Sequence, residues 1–181
     1  MIAERIEALR TEMRKRGIAI YLIPTSDFHE SEYVGDYFKA RQYLTGFTGS
    51  AGTAVITMKE AGLWTDGRYF IQAKRELAGS PVTLYCMGEE GVPTVKEYVE
   101  RSFEIGDCLG FDGRVVNAKA AEEYEKIAEK KKGRIASDED LMGLIWKERP
   151  KLPRNAAFIL EEKYAGTGTQ DKLKALREQM S

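Results

Sequence analysis

Thr53-Ala-Val-Ile-Thr-Met58 and Gly62-Leu-Trp-Thr65 are two β-rich runs separated only by Lys59-Glu60-Ala61. A connection that short joins antiparallel neighbours, so the spacing predicts a β-hairpin. Upstream, Gly46-Phe-Thr-Gly-Ser-Ala-Gly52 carries a glycine at every third residue and leads straight into the first run. Downstream, Asp66-Gly67 closes the second run, and Arg68 opens a stretch with Tyr69, Ala73 and Leu77 on one helical face.

Outward from the hairpin the pattern alternates. Ile2, Ile6, Leu9 and Met13 recur at helical spacing until Gly17, which predicts an amphipathic helix with one buried stripe. Ile18-Ala-Ile-Tyr-Leu-Ile23 is apolar on both faces and stops at Pro24, as suits a strand inside a sheet. Thr25-Ser-Asp-Phe-His-Glu-Ser-Glu-Tyr33 is polar and turn-rich, with room for one helical turn capped by Ser26 or Asp27. On the other side, residues 82–87 predict a strand, residues 93–103 a helix with Pro93 at its first position, and Leu109-Gly-Phe111 a short strand. Asn117 caps a helix whose apolar face is Ala121, Tyr124, Ile127 and Ala128, and Ser137 caps another bearing Leu141, Leu144 and Ile145. A hairpin followed by strands alternating with crossover helices is an α/β pattern, a mixed β-sheet flanked by helices on both faces.

The prolines at 150 and 153 mark a linker, so residues 1–153 are expected to form one domain. Beyond it, Leu173, Leu176 and Met180 form a helical stripe with no partner left in the chain. An amphipathic helix draws most of its stability from packing that stripe, so residues 154–181 are expected to begin a second, truncated domain.

Composition narrows the function classes. The 181 residues hold 28 Lys plus Arg against 29 Asp plus Glu, a net charge of −1, so no global field recruits nucleic acid or an anionic membrane. The run at 18–23 is far too short to span a bilayer, and the charged first 17 residues lack the apolar core of a secretory signal. Cys86 and Cys108 make no disulfide framework and are expected as buried free thiols, which places the chain in the cytoplasm.

Several chemistries fail on spacing. Gly46, Gly49 and Gly52 do not match a dinucleotide or phosphate loop, because the spacing is wrong and the loop enters a strand instead of a helix. Glycines allowing close backbone approach are the simpler reading. His29 is the single histidine, which excludes H-E-x-x-H; Asp27, His29, Glu30 and Glu32 read as a polar capped turn before they read as a cation site. No strained nucleophile turn precedes a serine, so a Ser-His-Asp triad has no support. Two strands end alike, in Trp64-Thr-Asp-Gly-Arg68 and Gly110-Phe-Asp-Gly-Arg114. Asp-Gly is good turn chemistry, while an arginine on a rigid strand end suits either a structural ion pair or bidentate recognition of a carboxylate or carbonyl.

Five ordered blocks carry a resemblance. Ile23-Pro-Thr-Ser-Asp-Phe-His-Glu-Ser-Glu-Tyr-Val34, Thr45-Gly-Phe-Thr-Gly-Ser-Ala-Gly-Thr-Ala-Val55, Leu63-Trp-Thr-Asp-Gly-Arg-Tyr-Phe70, Trp146-Lys-Glu-Arg-Pro150 and Lys163-Tyr-Ala-Gly166 follow one another in the family's order. Together they resemble the N-terminal domain of Xaa-Pro aminopeptidases (aminopeptidase P) of the creatinase/prolidase family. The resemblance implies a ribonuclease H-like mixed sheet that bounds the active-site cleft of a three-domain metallopeptidase. Such an enzyme releases the residue preceding a proline at the second position of a peptide. Its two divalent metal ions, typically Mn²⁺, belong to a C-terminal catalytic domain beyond these residues, so no catalytic residue and no metal ligand is expected here. On its own this chain is then expected to be inactive, and the parent enzyme to be a homo-oligomer. The arginine of the W-T-D-G-R block falls on Arg68, which the resemblance makes substrate-binding. His29 receives only a structural role. The family has proline after the aspartate matching Asp112, where this chain has Gly113-Arg114, so no role passes to Arg114. Two rival readings remain: a freestanding interaction or oligomerisation module, and a ribonuclease H-like nuclease in which Asp66 and Asp112 converge on metal.

Overall fold

A computed structural model describes residues 1–180. The hairpin forms where its spacing puts it: β2 (Thr53–Thr57) and β3 (Ala61–Thr65) pair antiparallel, with Thr53 opposite Trp64 and Val55 opposite Gly62. Thr57 holds the turn, its Oγ1 accepting the Glu60 N–H at 2.9 Å while its own N–H donates to the Glu60 carbonyl at 2.9 Å. β1 (Ile20–Pro24) lies antiparallel on the other side of β2. β4 (Thr83–Cys86) adds parallel to β3, and β5 (Cys108–Phe111) and β6 (Arg134–Ala136) continue parallel from β1. The sheet order is β4-β3-β2-β1-β5-β6, and every strand but β2 points its carboxyl end the same way.

Both faces are buried, which explains why β1 and β2 read as continuous apolar runs. Tyr21, Ile23, Ala54, Ile56 and Leu63 pack on one face under α1 (Ile2–Arg16), α2 (Ala40–Thr45), α3 (Phe70–Glu76) and α6 (Leu141–Ile145). Ile20, Leu22, Val55, Trp64, Leu109 and Phe111 pack on the other, under α4 (Val95–Ser102) and α5 (Ala118–Lys130). In α1 the predicted stripe is the buried one: Ile6, Leu9 and Met13 leave water almost completely, each worth about 1.5–3 kcal/mol of transfer free energy. Helices on both faces of a mixed sheet are the architecture the alternation predicts.

Local details differ. The segment after β1 has no helical turn; the Asp27 carboxylate instead accepts the N–H groups of His29 and Ser31 at 2.8 and 3.0 Å, a turn that competes with a cap. Pro93 stands one residue before the cap of α4, which is Thr94, reciprocally bonded with Glu97 as a capping box. Asp140, not Ser137, caps α6, accepting the Gly143 N–H at 3.1 Å. Cys108 is buried, but Cys86, near a sheet edge, is only half-buried. α2 and the three-residue β6 carry too little periodicity to be read from sequence. Beyond the sheet, residues 150–164 are all exposed, and neither α7 (Glu162–Ala165) nor α8 (Thr169–Met180) buries a side chain.

Candidate functional site

The shared carboxyl end of β1, β3, β4, β5 and β6 is where open α/β sheets gather ligands, and both Asp-Gly-Arg turns lie there. Three residues built into the backbone organise it. Thr65, at the end of β3, donates its hydroxyl to the Ala51 carbonyl at 2.7 Å. Thr25, just past β1, donates both its N–H and its hydroxyl to the Gly52 carbonyl at 2.9 Å. Arg41 of α2 reaches under the glycine loop, donating to Thr25 Oγ1 and the Phe47 carbonyl at 2.8 Å each and to the Gly49 carbonyl. The Arg41 side chain also lies over the Phe47 ring at 4.7 Å. Burial pulls its guanidinium pKa down to about 10, yet it remains charged at neutral pH. The loop is tight because its glycines admit it: a Cβ on Gly49 would lie 2.2 Å from Phe47 and 2.7 Å from Tyr69, and one on Gly52 2.8 Å from the Trp64 carbonyl. Close backbone approach, not phosphate binding, is what this glycine pattern serves.

Arg68 stands at the mouth. Asp66 Oδ1 accepts its N–H at 3.1 Å and its Nε at 2.8 Å, while Asp66 Oδ2 accepts Nη2 at 2.9 Å. The bidentate pair holds the Asp66 carboxyl below, and the guanidinium above, their ordinary pKa values. The side chain is 64% exposed, and among the described residues Nη1 has no hydrogen-bond partner. A cleft of about 360 Å³ opens beside it, walled by Asp66, Arg68, Ser50, Glu32, Thr65 and Met87. Ser50 in turn is hydrogen-bonded to Tyr69 at 2.6 Å. The geometry offers a fixed, outward-facing guanidinium edge suited to a carbonyl or carboxylate oxygen.

The second turn repeats the local geometry with a different outcome. Asp112 accepts from the Arg114 N–H at 3.0 Å and from Nε and Nη2 at 2.9 Å each. Arg114 Nη2 also reaches Asp140 at 3.1 Å, and Asp140 pairs with Arg149, so this arginine is spent in a structural network. Asp66 and Asp112 do not converge. β3 and β5 lie three strand spacings apart, about 14 Å, far beyond the reach of a shared two-metal site. The nuclease reading is overturned on that distance. His29 lies in an exposed segment, where Asp27 serves backbone N–H groups and Glu30 accepts from Asn117 Nδ2 at 2.5 Å. Among the described residues no three His, Cys, Asp or Glu side chains group as cation ligands. Arg41 is the site residue the sequence reading overlooked; a lone arginine inside the short segment Ala40-Arg-Gln-Tyr-Leu44 was its only signal.

The family model of the creatinase/prolidase N-terminal domain matches residues 5–149. The chain belongs to that family. It is 38% identical to aminopeptidase P2 of Arabidopsis thaliana, over 99% of this chain and 26% of that protein. It is 35% identical to Xaa-Pro aminopeptidase 1 of Dictyostelium discoideum, over 99% of this chain and 30% of that protein. The chain thus spans between a quarter and a third of these relatives. Among solved structures, the X-prolyl aminopeptidase of Caenorhabditis elegans, described as a cytosolic enzyme with a di-nuclear active site, superposes with a TM-score of 0.86 at 31% identity, over 99% of this chain and 31% of that one. The N-terminal domain of the cytoplasmic peptidase PepQ from Mycobacterium tuberculosis gives 0.56 at 25% identity, over 78% of this chain and 98% of that one. The creatinase/prolidase fold expected from the five sequence blocks is therefore the observed one.

Proposed function

We propose that this creatinase/prolidase N-terminal domain is the non-catalytic front of an Xaa-Pro aminopeptidase and bounds the cleft in which its peptide lies. The observation that carries the reading is Arg68, an exposed guanidinium clamped on one edge by Asp66 and open on the other. A peptide carbonyl accepting from Nη1 would be oriented without any proton changing hands. Among the described residues no three His, Cys, Asp or Glu side chains group as cation ligands, and in this reading the bond-breaking chemistry, with two divalent ions of manganese type, belongs to a part of the longer enzyme that these residues do not include. Residues 1–153 form the domain in this reading, and 154–181 begin the next. The same reading makes the parent a homo-oligomer and, like the Caenorhabditis elegans enzyme described as cytosolic, a cytoplasmic one.

Kinetics of the longer enzyme test the role of Arg68. Losing a charge-assisted hydrogen bond worth about 1.5–3 kcal/mol, Arg68→Ala should lower kcat/KM for an Xaa-Pro peptide roughly 10- to 100-fold. Bound metal should not change. Wild-type kinetics in that variant would remove Arg68 from the site, and turnover of such a peptide by the 181-residue chain alone would overturn the non-catalytic assignment. A reading frame that stops at codon 181 would favour the freestanding module instead.

A further inference from the structure

Residues 26–39 form an arm across the carboxyl end of the sheet, between β1 and α2. Ser31 and Glu32, at its middle, wall the Arg68 cleft. The arm's only regular structure is one 3-10 turn (Asp36–Phe38), so its shape depends on side chains holding its two ends. At the near end Glu30, in a left-handed conformation with φ 55°, accepts from Asn117, the residue that caps α5. At the far end the Tyr37 carbonyl accepts Arg149 Nε at 2.8 Å, and the Arg149 guanidinium lies over the Tyr37 ring at 3.9 Å. Arg149 Nη1 pairs with Asp140, which also receives Arg114, and Arg114 closes on Asp112. Two carboxylates thus balance two guanidinium groups. The Arg149 and Asp140 side chains are only 10% and 13% exposed, so the pair is little screened. Arg114 in turn lies over the ring of Phe28 at 5.4 Å, and Phe28 meets Phe38 edge-on at 4.7 Å, joining the arm's two ends to the same network.

Arg149 is also where the body of the domain ends, since Pro150 follows and the chain runs exposed from there to residue 164. Its neighbour Trp146 stacks on Tyr43 of α2 at 4.6 Å, which fixes the exit point from the other side. We propose that Arg149 is a positioning residue, locking the arm that walls the Arg68 cleft to the point at which the chain leaves the domain. One side chain then couples the far end of the cleft's wall to the departing chain. Only a guanidinium serves: a planar fork donates to the carbonyl and the carboxylate while its face covers the ring, and a lysine ammonium on a flexible stem cannot do all three. The cleft's occupant rests on the reading of Arg68 above; the lock itself does not.

The test therefore has two parts. In the 181-residue chain, Arg149→Lys and Arg149→Met should speed hydrogen exchange of the Phe38 and Lys39 amides by about tenfold, with the β2–β3 hairpin amides unmoved. Unchanged arm amides in both variants, or an equal rise throughout the sheet, overturn the lock. In the longer enzyme, Arg149→Lys should raise KM for an Xaa-Pro peptide about fivefold and leave kcat within about twofold. A fall in kcat at constant KM overturns the positioning role. If the wild-type longer enzyme does not cleave such peptides, the assignment of Arg68 fails, and the exchange measurement decides the lock by itself.

Discussion

Arg41 carries a full charge into a position 4% exposed to solvent, and its burial opposes ionisation. Three acceptors, from Thr25, Phe47 and Gly49, and the Phe47 ring offset that cost. Truncation leaves all three acceptors without that donor in a largely buried site, so Arg41→Ala should cost about 3 kcal/mol in denaturant unfolding. Arg41→Lys, which keeps a charge but not the fork, should also destabilise. Depressed carboxylates make stability rise with pH in the same direction as the depressed Arg41, but in the acid range. Asp27, through the backbone N–H groups of Ser31 and His29, and Asp66, through the Arg68 side chain, are both held below their ordinary pKa. A depressed carboxylate contributes stability above its unfolded pKa of about 3.9, and that contribution is lost as pH falls through the folded value. The thermal midpoint should therefore drop below about pH 4 and respond little to these groups between pH 5 and 8. An Asp27→Asn, Asp66→Asn double variant should show a shallower acid limb; an unaltered limb would exclude both groups as its source.

Among the elements, α5 depends most visibly on one cap. Asn117 Oδ1 accepts the Ala120 N–H at 2.8 Å, and its amide holds Glu30 across the gap. Asn117→Ala should cost about 1 kcal/mol for the cap. It should also raise exchange at the His29 and Ser31 amides, which Asn117→Asp, keeping the cap acceptor but losing the donor, should reproduce without the loss of helix stability. The cap was legible from sequence because Asn117 directly precedes a long, regular stripe. The sequence reading put Pro93 at the first position of α4, two residues before its start at Val95, and the cap of α6 at Ser137, three residues before Asp140. Both true caps are held by local bonds, Thr94 by its reciprocal pairing with Glu97 and Asp140 by accepting the Gly143 N–H. The single helical turn for which residues 25–33 had room is absent because Asp27 spends its carboxylate on a turn.

For the whole molecule, the packed body and the exposed tail should behave independently. α7 and α8 bury nothing, so removing residues 154–181 should change the unfolding free energy by less than about 0.5 kcal/mol. A larger loss, read from denaturant curves, would place part of the tail within the body and move the boundary.

What the sequence determined by itself was whatever repeats over several residues. The hairpin, the two-sided apolar run of β1, the stripe of α1 and the Asn117-capped α5 are each over-specified by period, so the mixed sheet with two covered faces followed from them. Arg68 stood out because its block could be read as a unit. Turn chemistry alone did not distinguish Arg68 from Arg114, since both follow the same Asp-Gly turn; the family resemblance passed a role only to Arg68. The tertiary structure supplies the physical difference, by bringing Asp140 and Tyr37 from distant parts of the chain against Arg114 and leaving the outer edge of Arg68 bare. The same is true of Arg41 and Arg149. Their partners are backbone carbonyls and rings fixed by long-range packing, and such contacts have no period that a sequence can display.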